Sequence, residues 1–185
     1  MNLSDSQTLA PGILLYKNAI EDCEKIIYIA NKNSSSWIIR NQNATDWESG
    51  NKILGYDEYP ISFSFHSDEK ILNTAKNIFD YACNYANKNL TTINAFDSCV
   101  IRKYANSPGF LELESSDVEN PQRKLTSILF LKDVDYGGEL KFKNFDVSVS
   151  PKMGDIIVFP ASFIYCFKIN KPKNDDSYVL VSQFT

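Results

Sequence analysis

The sequence predicts a mostly β fold of the α+β class, with helices in the N-terminal half packed on one face of a sheet. Three observations carry this. Hydrophobic residues make up 43% of the 185 positions and aromatic residues 13%, enough for a core and too many for a disordered chain. Helical periodicity is confined to the region before about residue 95. After it, short apolar runs follow one another at even spacing between Gly- and Pro-bearing turns, the pattern of a sandwich, barrel or jelly roll. The length suits one domain over residues 1–185, with 1–95 as a helical support region and 96–185 as the β core.

The elements follow in order. Ile13-Leu14-Leu15-Tyr16 is an apolar run that predicts a first strand. Glu21 to Lys32 predicts a helix: Glu21 and Asp22 suit its positive end, and Cys23, Ile26, Ile27 and Ala30 recur at spacings of three and four. Ser34-Ser35-Ser36 ends it. Trp37 to Tyr59 is polar with scattered apolar residues, which predicts irregular chain with short strands. Ser67 to Asn89 is the clearest helix, with Ser67 as cap, Asp68 and Glu69 in the first turn, and a stripe of Ile71, Leu72, Ala75, Ile78, Phe79, Ala82, Cys83 and Ala86. Strands are predicted over 98–104, 125–131, 139–142, 146–150, 155–159, 163–169 and 177–184. Turns at Ser107-Pro108-Gly109, Tyr136-Gly137-Gly138, Lys152-Met153-Gly154 and Lys171-Pro172 separate them.

Charge and residue counts exclude several functions. A net charge of -4 and a pI near 5.0 argue against a nucleic-acid partner held by phosphate neutralisation. No apolar run approaches the roughly 20 residues of a membrane span, so no membrane partner is expected. The start lacks a basic segment followed by an apolar one, so secretion by a signal peptide is not expected. The chain is read as intracellular, with reduced thiols. Cys23, Cys83, Cys99 and Cys166 form no Cys-x-x-Cys pair, which argues against a zinc ribbon. The single histidine, His66, excludes chemistry that needs two histidines from one chain.

The motif order is informative. Tyr104 to Gly109 is followed by Arg123 to Leu131 and then by Tyr136-Gly137-Gly138-Glu139-Leu140-Lys141-Phe142. Next come Pro151-Lys152-Met153-Gly154-Asp155, Ile156 to Pro160, and Tyr178-Val179-Leu180-Val181. This order resembles the prolyl 4-hydroxylase-like branch of the 2-oxoglutarate/Fe(II) oxygenases, and is similar to its short single-domain members from bacteria and phages. The resemblance implies a double-stranded β-helix, a cupin-like jelly roll, with two or more N-terminal helices on one sheet. It covers essentially the whole chain, and its Gly-Gly-Glu-Leu-x-Phe and Pro-Lys-x-Gly-Asp stretches are scaffold motifs.

The resemblance also implies where the chemistry should sit. A His-x-Asp pair and a second His would bind Fe(II), and an Arg would pair with the distal carboxylate of 2-oxoglutarate. Carried over by position, the pair falls at Glu112 and Glu114, the second His at Cys166 and the Arg at Ser177. All depart from the pattern. Two carboxylates and a thiol mix hard and soft donors, and a serine cannot neutralise a carboxylate. Lys171 and Lys173 are nearby point charges. Tyr104, Arg123, Lys173 and Tyr178 form the pocket candidate. For each substituted position the simpler reading is structural: Glu112 and Glu114 as a solvated pair on a strand edge, Cys166 as a core thiol, His66 as a residue near the helix start, and Gly137-Gly138 as a turn needing positive φ.

The reading preferred on these grounds is a non-catalytic oxygenase-like domain without a catalytic residue, cofactor or metal, acting as a structural or protein-interaction module. Its partners would be proteins, a second copy of the chain or a viral particle, and its place the cytoplasm or a virion. The alternative is a 2-oxoglutarate-dependent hydroxylase, or another metal enzyme, with an atypical site. Fe(II) and 2-oxoglutarate belong only to that rearranged site.

Overall fold

The computed structural model describes residues 6–41, 48, 50, 55–61, 68–89, 91–104 and 121–185. Among these, two helices and eleven strands form. The helices are α1 (Cys23–Lys32) and α2 (Glu69–Lys88). The strands are β1 (Ser6–Ala10), β2 (Ile13–Tyr16), β3 (Ile38–Asn41), β4 (Gly55–Pro60), β5 (Phe96–Tyr104) and β6 (Leu125–Phe130). They continue with β7 (Leu140–Phe142), β8 (Ser148–Val149), β9 (Ile156–Pro160), β10 (Phe167–Ile169) and β11 (Ser177–Phe184). Eight make one antiparallel sheet in the order β1-β2-β9-β6-β11-β5-β4-β3, and three make a smaller one in the order β10-β7-β8.

Side-chain alternation explains why the sheets face each other. On β11, Tyr178, Leu180 and Phe184 point to one core, and Val179 and Val181 to a second. The first core lies between the large sheet and the helices, where Ile26 and Ala30 of α1 meet Ile71, Ile78, Tyr81, Ala82 and Tyr85 of α2. The second lies between the sheets, where Phe130 and Phe159 of the large one meet Leu140, Phe142, Phe167 and Ile169 of the small one. Rings pack there edge-to-face, Phe142 on Phe159 at 4.9 Å and Phe159 on Phe167 at 5.5 Å between centroids.

The scaffold motifs have local causes. Gly137 and Gly138 both take positive φ, and a Cβ on Gly137 would sit 2.0 Å from the Lys171 carbonyl oxygen. Gly154 has φ +87°. Its carbonyl accepts from Ala19 N (2.8 Å) and Ile20 N (3.1 Å), and its own N–H donates to Phe130 O (2.9 Å). Asp155 then accepts from Asn18 N at 2.9 Å. The Gly-Asp pair therefore ties the β2–α1 connection to the large sheet.

The structure departs from sequence expectation in particular places. The expected strand Ile13–Tyr16 forms as β2 and short strands form within 37–60 as β3 and β4, while β1 was not expected; together they extend the large sheet at both edges. β1 is half-exposed edge chain with no clear period. α1 starts at Cys23 because Asp22 has left-handed backbone (φ +58°). α2 is capped by Asp68, whose Oδ1 accepts from Lys70 N (3.0 Å) and Ile71 N (3.4 Å). The expected cap Ser67 lies outside the described residues, as do the turn at 107–109 and His66. The stretch 163–169 is not one strand: a 3₁₀ turn at Phe163–Tyr165 steps the chain from the large sheet to β10, leaving Phe163 67% and Ile164 45% exposed.

Candidate functional site

The inner face of the large sheet has two ends. Over β9 and β6 it is covered by the small sheet and is largely apolar, with Thr126 beside Phe159. Over β4, β5 and the start of β11 it carries polar side chains. Register fixes their places. Asp57 pairs with Lys103 and Glu58 with Arg102 across β4 and β5. Tyr104 pairs with Ser177 and Arg102 with Val179 across β5 and β11. Tyr56, Glu58, Arg102, Tyr104 and Ser177 therefore share the face that Val179 presents to the inter-sheet core.

Their contacts are specific. Glu58 is held between two guanidiniums. Arg40 donates to its Oε1 from Nε (3.0 Å) and Nη2 (2.8 Å), and Arg102 Nε lies 3.6 Å from its Oε2. The side chains of Glu58 and Arg102 are only 9% and 7% exposed, whereas that of Arg40 is 50% exposed. The Arg102 guanidinium lies over the Tyr56 ring, 4.7 Å from its centroid, and Tyr56 in turn leans on Tyr104 at 5.7 Å. Ser177 is fully buried, and among the described residues its hydroxyl has no hydrogen-bond partner. Such an unpartnered buried hydroxyl costs about 1–3 kcal/mol. Ser182, on the opposite face of the same strand, is in contrast 3.4 Å from Cys99 Sγ.

The sequence-derived candidates are scattered. Glu112, Glu114 and His66 lie outside the described residues. Cys166 is not a core thiol: it is half-buried at the end of the 3₁₀ turn, and its Sγ donates to Phe163 O at 3.0 Å. Of the four pocket candidates only Tyr104 reaches the inner face. Alternation along β11 turns Tyr178 to the helix side, where it packs against Trp37. Arg123 bonds Asp97 at the far end of β5. Lys173 lines a separate cleft of about 420 Å³ with Asp135, Tyr136, Glu139 and Lys171. Arg102 and Glu58 were missed. Their signal was present, since Arg102 falls in step with Val100 and Tyr104 along a strand, but without β4 nothing marked that face as buried.

Among the described residues no group of three His, Cys, Asp or Glu side chains could hold a metal ion, so these residues do not by themselves fit an iron site. They fit a carboxylate better, through a buried guanidinium and an orphaned hydroxyl on one face. Among the described residues no helix is long and apolar enough to cross a membrane.

No protein-family model and no curated relative matches the sequence. Solved structures do. A viral collagen prolyl hydroxylase from Paramecium Bursaria Chlorella virus-1, in a 2OG complex, matches with TM-score 0.66 and 15% identity over 94% of this chain and 95% of that one. A Pseudomonas putida prolyl-4-hydroxylase matches with TM-score 0.70 and 14% identity over 94% and 91%. An oxidoreductase of the 2OG-Fe(II) oxygenase family from Burkholderia pseudomallei matches with TM-score 0.65 and 13% identity over 95% and 85%. The chain thus has the double-stranded β-helix fold of the prolyl 4-hydroxylase-like 2-oxoglutarate/Fe(II) oxygenases. The expectation of no cofactor is corrected by this likeness, because one of these neighbours was solved with 2OG and another belongs to the 2OG-Fe(II) family. That expectation rested on ligand positions counted along the sequence, and Glu112 and Glu114 lie outside the described residues.

Proposed function

We propose that the chain is an oxygenase of the prolyl 4-hydroxylase type, using 2-oxoglutarate and a divalent metal through an atypical set of residues. The observation that carries this reading is the buried, unpartnered hydroxyl of Ser177, at the position where the resemblance places the cosubstrate anchor and on the inner face of the sheet. The likeness to prolyl hydroxylases along nearly the whole chain supports it. So does the presence of the Gly137-Gly138 turn against Lys171 and of the Gly154-Asp155 tie between the β2–α1 connection and the large sheet.

When bound, metal and cosubstrate would supply the oxidation: O₂ is consumed, 2-oxoglutarate loses CO₂ to become succinate, and one oxygen atom enters a C–H bond of the second substrate. The chain's own residues bind, orient and exclude water. The Ser177 hydroxyl can pair with a ligand oxygen. Phe142, Phe159 and Phe167 keep the neighbouring interior dry, which strengthens polar contacts beside it. Glu112 and Glu114 remain the carboxylates assigned to the metal.

The test is direct. The full chain, supplied with Fe(II), 2-oxoglutarate and prolyl peptides, should release succinate, and the Glu112→Ala/Glu114→Ala double variant should lose that release together with its bound metal. A folded wild-type protein that releases no succinate and retains no metal overturns the reading.

A further inference from the structure

We infer that the cleft between the β2–α1 connection and α2, on the helix side of the large sheet, binds an uncharged polyhydroxylated ligand of the saccharide class. The cleft has a volume of about 550 Å³ and lies away from the polar inner face, so the inference is independent of the oxygenase reading. One wall is a polar stripe of α2. Lys70, Asn73, Thr74, Asn77 and Tyr81 fall at i, i+3, i+4, i+7 and i+11, beside the apolar stripe that packs on the sheet. The facing wall is the chain from Lys17 to Asp22.

The two walls are held apart rather than packed together. Asn18 (φ +48°) and Asp22 (φ +58°) are the two non-glycine residues with left-handed backbone among the described residues, and they bracket the facing wall. Ala19 N and Ile20 N donate to Gly154 O, and Asn18 N donates to Asp155, which ties this wall to the large sheet. Two bridges cross the cleft: Lys70 Nζ donates to Glu21 O at 3.1 Å, and Tyr81 Oη donates to Ala19 O at 3.3 Å. Between them along α2, the side chains of Asn73, Thr74 and Asn77 have no hydrogen-bond partner among the described residues. Thr74 is only 2% exposed, so its hydroxyl is a nearly buried polar group at the cleft with nothing to satisfy it. The charges select the ligand class. Glu21 and Asp22 balance Lys17 and Lys70, and Asp22 is already paired with Lys25 (2.8 Å) and Lys70 (3.8 Å). A phosphate would meet both carboxylates, and a divalent cation both ammonium groups. Amides and a hydroxyl, which both donate and accept, suit a ligand whose hydroxyls do the same.

The experiment is ligand binding to the full chain without added metal or 2-oxoglutarate, followed by saturation-transfer NMR and calorimetry. The probes are glucose, galactose, N-acetylglucosamine and sucrose, with inorganic phosphate and glycine as charged controls. At least one sugar should bind with a Kd of about 1 mM or tighter, and both controls about tenfold more weakly or worse. The Asn73→Ala/Asn77→Ala variant, changed at an exposed and a half-buried position, should weaken that sugar about tenfold. Thr74→Val, which keeps the shape and removes the hydroxyl, should weaken it several-fold. Should Thr74→Val fail to fold, the asparagine variant still decides. The inference is overturned if none of the four sugars binds, if phosphate or glycine binds as tightly as the best sugar, or if the folded asparagine variant binds that sugar like the wild type. Absence of succinate release by the wild type would instead remove the proposed oxygenase activity and leave this site standing.

Discussion

The two ends of the inner sheet face are built from the same alternation and have opposite chemistry. Under the small sheet, Phe130, Phe142, Phe159 and Phe167 close the interior with rings. Two strands away, Tyr56, Glu58, Arg102, Tyr104 and Ser177 keep charge and hydroxyl at low exposure. The first end needs no ligand to explain it, since apolar burial alone stabilises it. The second is expensive in an empty protein, because a buried ion pair and an orphan hydroxyl both carry desolvation costs. The difference separates the part of the fold closed by apolar packing from the part that keeps charge and hydroxyl buried.

The largest way to probe this contrast is at the closed end. Phe159→Ala should cost about 3–5 kcal/mol, read as a lowered urea midpoint, because it removes a fully buried ring packed on both Phe142 and Phe167. A loss below about 1 kcal/mol would mean that this end is loosely packed. At the polar end, Glu58→Gln should cost about 3 kcal/mol by removing the carboxylate shared by two guanidiniums. Equal stability of wild type and variant would show that Glu58 is not holding Arg102.

The helix side supplies a pH test that the polar end should not share. Burial, helped by nearby Tyr81, pushes the Tyr16 hydroxyl up to about 12. In the unfolded chain it ionises near 10, so between pH 10 and 12 only the unfolded state loses its proton and stability falls as pH rises. The slope should be about 1.4 kcal/mol per pH unit for this one group, and Tyr16→Phe should lessen the fall of denaturation midpoints between pH 10 and 11, with buried Tyr81, Tyr85 and Cys23 keeping the remainder. The smallest expected effect compares two serines of β11. Ser182→Ala should lose about 1 kcal/mol with its Cys99 contact, while Ser177→Ala should gain about 1 kcal/mol by removing an unpaired buried hydroxyl. Equal losses at both sites would indicate that Ser177 has a partner in solution without added ligand.

Much of the fold was legible in the sequence because its signals are local. The α2 stripe of Ile71, Ala75, Ile78 and Ala82 shows directly which face is buried. The paired glycines at 137 and 138 mark a turn that only they can make without strain. β1, a half-exposed edge strand, left no signal. Short strands were expected within Trp37–Tyr59, where β3 and β4 form, but their bounds and their pairing onto β5 were not legible, because contacts with distant chain stabilise them more than their own pattern does.

The site divides in the same way. The sequence by itself determined the scaffold order and the single histidine of the chain, since identity and spacing are properties of the chain. It could not decide which side chains meet. Tyr178 and Ser177 are adjacent in sequence yet lie on opposite faces of β11, while Arg102 and Ser177 are 75 positions apart and share one face. Only the tertiary structure decides that, because the face each strand buries is set by its register against its neighbours.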